Sequence, residues 1–382
     1  MLFFSCKQAY TPPAITSSGS YLVVEGVINN SSDSTIIKLS NTVNISDSVS
    51  SLPVLHATVA VQGDQNVTYP LTEKSNGSYF TTNLNLDNAH KYRLIITTTD
   101  KKQYYSDYTP VLNSPPLDSV YYTLSNNRVN INTATHDANN TIKFYRWDYK
   151  ETWIIRSAYF SYYKSNGDTV LPRDVVNDNV YQCWAHYNSS TIVLNSTAKL
   201  NESILTNNII TFFPQNSEKL GNRYSILVKQ YALSTDAYNF WTNLKKNTEK
   251  LGSIFDAQPS QINGNIHCLT NPAEPVIGYI SVGSVATKRI YIDHEQLPIL
   301  ATDFPYSDCV VNPLLYKYYP PGSKTYENQI AMFINYKKGK FSPLIPLDAI
   351  YKDNKIVGYT ASTPFCADCT LRGTNRKPDF WK

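Results

Sequence analysis

Short segments of β-type sequence recur along this chain, and turn residues separate them. The first begins at Tyr21 and is apolar and β-branched until Asn29 interrupts it. Comparable segments follow at residues 36–40, 57–61, 79–80 and 92–97. Strands at this spacing, with Asn, Asp and Ser between them, are typical of a sandwich of two sheets. We therefore predict an immunoglobulin-like β-sandwich over residues 21–112, with Tyr92 as a structural corner residue.

The composition agrees with a mainly β fold. The chain of 382 residues contains 30 tyrosines but only 2 methionines, and tyrosine is enriched in strands. No stretch approaches the roughly 18 uninterrupted apolar residues that indicate a membrane-spanning helix. The net charge of +4 is too small to indicate a nucleic-acid surface. We therefore predict no nucleic-acid partner.

A proline-containing linker divides the chain after the first sandwich. Asn113, Ser114, Pro115 and Pro116 follow one another, and neither proline can donate a hydrogen bond to a ladder. We predict a second, larger, β-sandwich-like domain over residues 113–300. Its strands are expected at residues 128–132, 146–155, 224–231, 276–282 and 288–292.

One amphipathic helix is predicted within this domain, near residues 234–251. Ser234 can cap its first turn, and Gly252 can end it. Apolar residues recur between them at helical spacing: Ala237, Phe240, Trp241, Leu244 and Leu251. Beyond residue 300 the sequence is rich in Pro and Tyr and shows no regular period. We predict that residues 301–382 form an irregular region, stapled by disulfides and packed on the second domain.

The first six residues indicate a lipid anchor. Met1 to Cys6 is apolar and ends in a small residue followed by cysteine, as bacterial lipoprotein signals do. In such signals the chain is cut before the cysteine, which is then acylated. The charged start and most of the apolar part are missing, which indicates a start codon assigned too far downstream or a trimmed chain. We expect residues 1–20 to hold this truncated signal, the lipidated Cys6 and a polar tether.

The remaining cysteines are Cys183, Cys268, Cys309, Cys366 and Cys369. The spacing of the last two allows a redox pair or, with Cys309 and His294, a zinc site. A redox pair needs a helix start, which the surrounding proline and arginine do not predict, and zinc ligands usually form two close pairs. We therefore favour structural disulfides in an oxidising compartment. Cys309 is expected to pair with Cys366 or Cys369. A bond between Cys183 and Cys268 is the weaker alternative.

The sequence contains no motif that indicates catalysis. Its 6 histidines are scattered without metal-binding spacing, and nucleophile-elbow and phosphate-loop motifs are absent. The nearest carboxylate pair is Asp148 and Glu151, whose spacing places them on opposite faces of a strand. We therefore predict a non-enzymatic protein with no cofactor and no metal site.

Several stretches of the chain resemble one known family. In order, they are Leu22–Gly26, Arg146–Trp153, Cys183–Trp184, Tyr224–Tyr231, Gly252–Asp256, Val276–Tyr279, Cys366-x-x-Cys369 and Pro378–Trp381. Over nearly its whole length the chain is similar to the Bacteroidota lipoproteins catalogued as domain-of-unknown-function family 4249. The resemblance implies outer-membrane lipoproteins with an N-terminal immunoglobulin-like domain, often encoded beside TonB-dependent transporters. It brings no catalytic residues with it.

From this resemblance we expect a lipid-anchored protein of the outer membrane. Its expected role is that of an accessory or ligand-binding partner of a TonB-dependent transporter, which captures a nutrient such as a peptide or glycan. The alternative is a cell-surface adhesin or a structural envelope protein.

Two groups of aromatic residues are the candidate contact surface. Tyr316, Tyr318 and Tyr319 lie in a proline-containing run, and Trp147 and Trp153 lie on an aromatic strand. Aromatic residues in a stiff loop lose little entropy on binding, so they suit a contact surface. The competing interpretation is that the tyrosines only cover the edge of a sheet.

Overall fold

A computed structural model of the chain describes residues 20–43, 51–249, 264–297, 304–335 and 343–382. The fold is mainly β, as predicted. The chain divides into two compact units: unit 1 comprises Met1–Asn113 and Leu233–Val285, and unit 2 comprises Ser114–Ala232 and Ala286–Lys382. Cys6 and Gly252, the predicted lipid anchor and helix end, lie outside the described residues.

The strands and helices follow in chain order. Up to Pro110 they are β1 (Leu22–Asn29), β2 (Thr35–Asn41), β3 (Leu52–Pro53), β4 (Thr58–Gly63), β5 (Thr68–Ser75), β6 (Ser78–Thr81), β7 (Lys91–Thr97), β8 (Gln103–Ser106) and β9 (Thr109–Pro110). Up to Leu233 they are β10 (Leu117–Ser125), β11 (Arg128–His136), β12 (Phe144–Arg156), β13 (Tyr163–Ser165), β14 (Val170–Pro172), β15 (Gln182–Asn188), β16 (Val193–Ser196), β17 (Ile204–Pro214) and β18 (Arg223–Leu233).

The remaining elements begin with the one long helix of the described chain. They are α1 (Thr235–Glu249), β19 (Ile266–Cys268), β20 (Ile277–Gly278), β21 (Ser281–Gly283), β22 (Val285–Asp293), β23 (Asn312–Leu315), α2 (Gln329–Phe333), β24 (Ile345–Lys352), β25 (Lys355–Ser362) and α3 (Pro364–Ala367). Short 3₁₀ turns cover Glu218–Leu220, His294–Gln296 and Cys369–Leu371. Within the described ranges, no helix combines the length and the apolar character needed to cross a membrane.

Unit 1 is built on one hydrogen-bonded sheet that encloses a single core. The strand order is β19-β8-β7-β4-β5-β6-β2-β1-β20, with β3, β9 and β21 attached beside it. Alternate residues of its strands, such as Ile37 and Leu94, are fully buried in this core. Tyr92 fulfils the predicted corner role, because its hydroxyl accepts from the Asp87 amide (2.8 Å) and donates to the Asp87 carbonyl (3.2 Å).

The segment Leu233–Val285 belongs to unit 1, whereas we expected it in the second domain. β20 and β21 pair in parallel with β1, and β19 pairs antiparallel with β8. Ile266 and Ile280 of this segment complete the core of unit 1. The sequence predicted strands here but not their partners, because pairing between distant parts of a chain leaves no local pattern.

Unit 2 contains the predicted second sandwich-like arrangement. A three-stranded sheet, β10-β11-β17, and a five-stranded sheet, β15-β12-β18-β22 with β16 beside β12, contribute to one core. Val129 and Ile131 enter this core from the first sheet, and Trp147 and Ile226 enter it from the second.

The C-terminal region is more regular than we predicted. β23, β25 and β24 form a three-stranded antiparallel sheet with a small core that includes Leu314, Ile330 and Tyr359. Asp353 and Asn354, which join β24 to β25, have φ angles of 49° and 58°. Two positive φ angles in a two-residue loop are the mark of a type I′ hairpin turn. This dipeptide was therefore a local signal for a hairpin that the sequence analysis overlooked.

Two disulfides lie within unit 2. Cys309 is bonded to Cys366, one of the two expected partners. Cys183 is bonded to Cys369, so the weaker alternative, a bond between Cys183 and Cys268, is wrong. Cys268 is a buried free thiol on β19, in the core of unit 1. Because Cys366 and Cys369 belong to different disulfides, they form neither a redox pair nor half of a zinc site.

Candidate functional site

Unit 1 contains a polar cleft of about 320 Å³. Three stretches of chain line it. They are the residue directly after β8, the first turns of α1, and the residues just before β19 together with the residue just after β20. The lining residues are Asp107, Asp236, Asn239, Phe240, Asn243, Gly264, Asn265 and Tyr279. None of them was predicted as a site residue, because they come together only once the segment 233–285 has joined unit 1.

Asn265 holds the walls of the cleft together. Its Nδ2 donates to the Ile280 carbonyl (2.9 Å), and its Oδ1 accepts from the Ile280 amide (2.8 Å). Its own carbonyl accepts from the Asp107 amide (2.8 Å). Asn265 is buried, so water does not compete for these bonds. One residue thus fixes the backbone next to Tyr279 and the backbone of Asp107.

Gly264 allows two backbone segments to approach closely at this site. A Cβ atom on Gly264 would lie 1.7 Å from the carbonyl oxygen of Gly278. No side chain fits in that space, so a residue other than glycine would push the two segments apart. The cleft therefore has a floor of closely packed backbone.

Helix α1 also lines the cleft. It begins as predicted, because the Ser234 hydroxyl accepts from the Ala237 amide at 3.1 Å. Phe240 is buried, with its ring centre 5.5 Å from that of Tyr279. Asp236 lies in the first turn, where the helix dipole stabilises a carboxylate.

The cleft is acidic. It is lined by two carboxylates, those of Asp107 and Asp236, and by no lysine or arginine among the described residues. Asp107 Oδ1 lies 3.1 Å from His267 Nε2, in an exposed pair. Burial raises the pKa of the Tyr279 phenol, and the nearby carboxylates of Asp236 and Asp107 raise it further. The phenol therefore remains a hydrogen-bond donor at neutral pH. A lining of this kind can bind a ligand that carries donors or positive charge, and it repels anions.

We expect Asn265→Ala to lower the free energy of unfolding of unit 1 by about 2 to 4 kcal/mol, because it leaves the buried amide and carbonyl of Ile280 unpaired. Asn239→Ala is the matched control, since Asn239 lines the same cleft from an exposed position on α1. Alanine favours the helix, so this control should lose no stability. Urea denaturation followed by circular dichroism measures both variants. Equal midpoints for Asn265→Ala and the wild type would contradict the role given to Asn265.

The predicted tyrosine surface is only partly exposed. We call residues 316–327 the tyrosine loop; Tyr318 and Glu327 close it through reciprocal backbone hydrogen bonds of 3.0 and 2.8 Å. Tyr319 is 57% exposed and its ring contacts that of Tyr326, which is 53% exposed. The Lys317 ammonium lies 5.4 Å from the Tyr326 ring. Tyr326 is therefore a member of this surface that the sequence analysis did not identify.

Tyr316 belongs to a core rather than to a contact surface. It is half-buried and packs against the core of the C-terminal sheet. Its ring centre lies 6.2 Å from that of Tyr359. Tyr318 is also half-buried. Of the three predicted contact tyrosines, only Tyr319 is freely exposed.

The prediction that Trp147 belongs to a contact surface is wrong. Trp147 is fully buried, and its Nε1 donates to Gln230 Oε1 at 3.0 Å. β12 is an inner strand of the five-stranded sheet, so alternate side chains of this strand face the core. Trp153, on the same strand, is half-buried against the core.

Lys219 is surrounded by three aromatic rings and a buried carboxylate, which gives the aromatic residues of β12 and its neighbours a structural role. Its Nζ is 2.7 Å from Oε2 of Glu151, and it lies 5.2 to 5.4 Å from the ring centres of Trp153, Tyr187 and Phe213. The Tyr224 hydroxyl donates to Oε1 of Glu151 at 2.6 Å. Glu151 is therefore a buried structural carboxylate. Asp148 is separately paired with Arg146 at 3.2 Å, so these two carboxylates do not form a catalytic pair.

Comparison with known proteins identifies one family. Residues 8–289 match the family described as a domain of unknown function (DUF4249). The match covers unit 1 from residue 8 onward, including every residue that lines the cleft. No curated protein matches the chain.

Proposed function

Because the chain belongs to the DUF4249 family, we propose that it is a Bacteroidota outer-membrane lipoprotein. In this proposal it has no enzymatic activity and serves as an accessory or ligand-binding partner of a TonB-dependent transporter. The nutrient would be a peptide or a glycan. The observation that carries the proposal is the presence of two disulfides in unit 2.

Disulfides support an extracytoplasmic location. Cys183–Cys369 and Cys309–Cys366 each have a Cα–Cα distance of 5.7 Å, within the usual range. Such bonds persist in the periplasm and at cell surfaces, whereas cytosolic reductants keep thiols reduced. A chain with two structural disulfides therefore fits an exported protein.

Lipidation of Cys6 would attach this protein to the membrane. An acyl anchor holds a folded domain at a bilayer surface without a spanning helix. The polar residues that follow Cys6 would serve as a tether.

The tyrosine loop supplies a suitable surface for a protein partner. Tyr319 and Tyr326 present two rings in contact, each more than half exposed. Tyrosine offers a large, rigid contact area and a polar tip, with little loss of side-chain entropy on binding. Lys317, whose ammonium group lies near the ring of Tyr326, adds a positive charge to this surface.

The double variant Tyr319→Ser/Tyr326→Ser tests the proposal. We expect it to retain the wild-type melting temperature, because both rings lie outside the cores, and to recover markedly less transporter in affinity purification from solubilised outer membranes. Tyr351→Ser is the matched control, since Tyr351 is 61% exposed on β24 of the same unit. This control should recover the transporter as the wild type does.

Two outcomes of the purification would count against the proposal. Undiminished recovery of the transporter by the double variant would place the interface elsewhere. Purification of the wild type without any transporter would contradict the partnership itself and favour an adhesin or structural role.

A further inference from the structure

We propose that the cleft of unit 1 is a binding site for a small organic amine. This inference goes beyond the proposed partnership with a transporter, and it depends neither on the lipid anchor nor on the tyrosine loop. It is based on the charge, hydrogen-bonding groups, aromatic wall and size of the cleft.

The acceptors in the cleft are suited to an ammonium group. Asp107 and Asp236 come from two different elements, the end of β8 and the first turn of α1. An ionised carboxylate only accepts hydrogen bonds, and an ammonium group only donates them. Hydrogen bonds between these two charged groups are among the strongest in proteins.

The described residues neutralise little of this negative charge. Within the described residues Asp236 has no ion-pair partner, and Asp107 is paired only with His267, in a position where both side chains are more than half exposed. An arriving cation therefore meets one carboxylate without an ion-pair partner among the described residues and another whose partner is a solvent-exposed histidine. An anionic ligand would meet repulsion from both.

The aromatic wall suits the hydrocarbon part of an amine. Phe240 and Tyr279 lie with their ring centres 5.5 Å apart and both line the cleft. Because Phe240 is buried behind it, the partly exposed Tyr279 ring is the surface on which a short aliphatic chain can pack, and a cation near its face gains a further electrostatic attraction. The amide oxygens of Asn239 and Asn243 can accept further hydrogen bonds that the ammonium group donates.

The size of the cleft limits the ligand. Its volume of about 320 Å³ is near the lower end of the range of roughly 300 to 1,000 Å³ that small-molecule sites occupy. A compact amine of a few carbons fits this volume, whereas an oligosaccharide or a folded peptide does not.

Isothermal titration calorimetry on the purified protein tests the inference with two probes of equal length. Putrescine carries two ammonium groups, and 1,4-butanediol replaces each of them with a hydroxyl. We expect saturable binding of putrescine and none of butanediol at the same concentrations. Asp236→Asn and Asp107→Asn should each weaken putrescine binding about tenfold or more, because each removes a charged acceptor.

Two further variants separate loss of the site from general effects. Glu25→Gln removes a carboxylate from an exposed position elsewhere on unit 1 and should leave binding unchanged. Asn243→Lys keeps both carboxylates but places a competing cation in the cleft, and it should abolish binding without lowering the melting temperature. Absence of putrescine binding to the wild type, equal binding of butanediol, or undiminished binding by both aspartate variants would each overturn the inference. None of these outcomes would bear on the transporter partnership.

Discussion

Replacing Lys219 with methionine is expected to lower the free energy of unfolding of unit 2 by about 3 kcal/mol or more. Glu151 is only 1% exposed, and Lys219 is the cation paired with it, at 2.7 Å. Methionine can fill much of the space between the three rings but cannot neutralise the carboxylate. The variant therefore leaves a buried charge with the Tyr224 hydroxyl as its remaining neutral donor.

The same geometry predicts a partial rescue. Glu151→Gln combined with Lys219→Met removes both charges and should recover part of the lost stability, because the glutamine side chain can still accept from Tyr224. Burial holds the pKa of Tyr224 well above its ordinary range, and the Glu151 charge raises it further. The Tyr224 hydroxyl thus stays protonated and available as a donor in both variants.

Urea denaturation followed by near-ultraviolet circular dichroism measures these effects. Lys38→Met is the matched control, because Lys38 and Glu25 form an exposed pair at 3.8 Å in unit 1. Exposed pairs of this kind contribute at most about 1 kcal/mol. If Lys219→Met and Lys38→Met lower the free energy of unfolding by the same amount, the ion pair between Lys219 and Glu151 is not a structural requirement of unit 2.

Removing either disulfide is expected to lower the free energy of unfolding of unit 2 by at least as much as Lys219→Met does. The Cys183–Cys369 bond closes a loop with a sequence separation of 186, and the Cys309–Cys366 bond closes one of 57. Loop-closure entropy then gives a loss of about 5 kcal/mol for Cys183→Ala/Cys369→Ala and about 4 kcal/mol for Cys309→Ala/Cys366→Ala. The first bond also lies in a small core with Ile155 and Ala185, so its loss should loosen the packing of β15.

Denaturation with and without dithiothreitol checks the disulfide prediction. The wild type should unfold at a lower urea concentration in the presence of the reductant, and each double variant should lose part of this sensitivity. Cys268→Ala is the control, because Cys268 is a free thiol and its removal should leave the response to reductant intact. A wild type whose midpoint does not change with reductant would contradict the stabilising role of both bonds.

Local sequence patterns predicted several of the longer strands of this fold and its one long described helix. Ser234 marked the start of α1, and Tyr92 was identified as a corner residue. Both signals act through hydrogen bonds to neighbouring backbone, which explains why they can be recognised from a short stretch of sequence. The Asp353–Asn354 turn was an equally local signal, and it would have predicted the C-terminal hairpin.

The cleft and the second disulfide could not be predicted in this way. Asp107 and Asn265 are joined by a backbone hydrogen bond that exists only because β19 pairs with β8. Cys183 is bonded to Cys369 at a sequence separation of 186, and the order of the cysteines along the chain does not reveal this pairing. The sequence also did not reveal which aromatic residues are buried. Trp147 and Trp153 are of a residue type common at contact surfaces, but Trp147 lies on an inner strand and is therefore in the core.

The proposed role requires the protein to leave the cytoplasm and remain at the outer membrane, and the two disulfides that support it fit an oxidising compartment. The most direct measurement is fractionation of cells that carry the native gene, together with labelling by a palmitate analogue. We expect the wild type in the outer-membrane fraction and labelled, and Cys6→Ala in the soluble fraction and unlabelled. A wild type that is unlabelled, or that fractionates with the Cys6→Ala variant, would contradict the account of this chain as a lipid-anchored envelope protein.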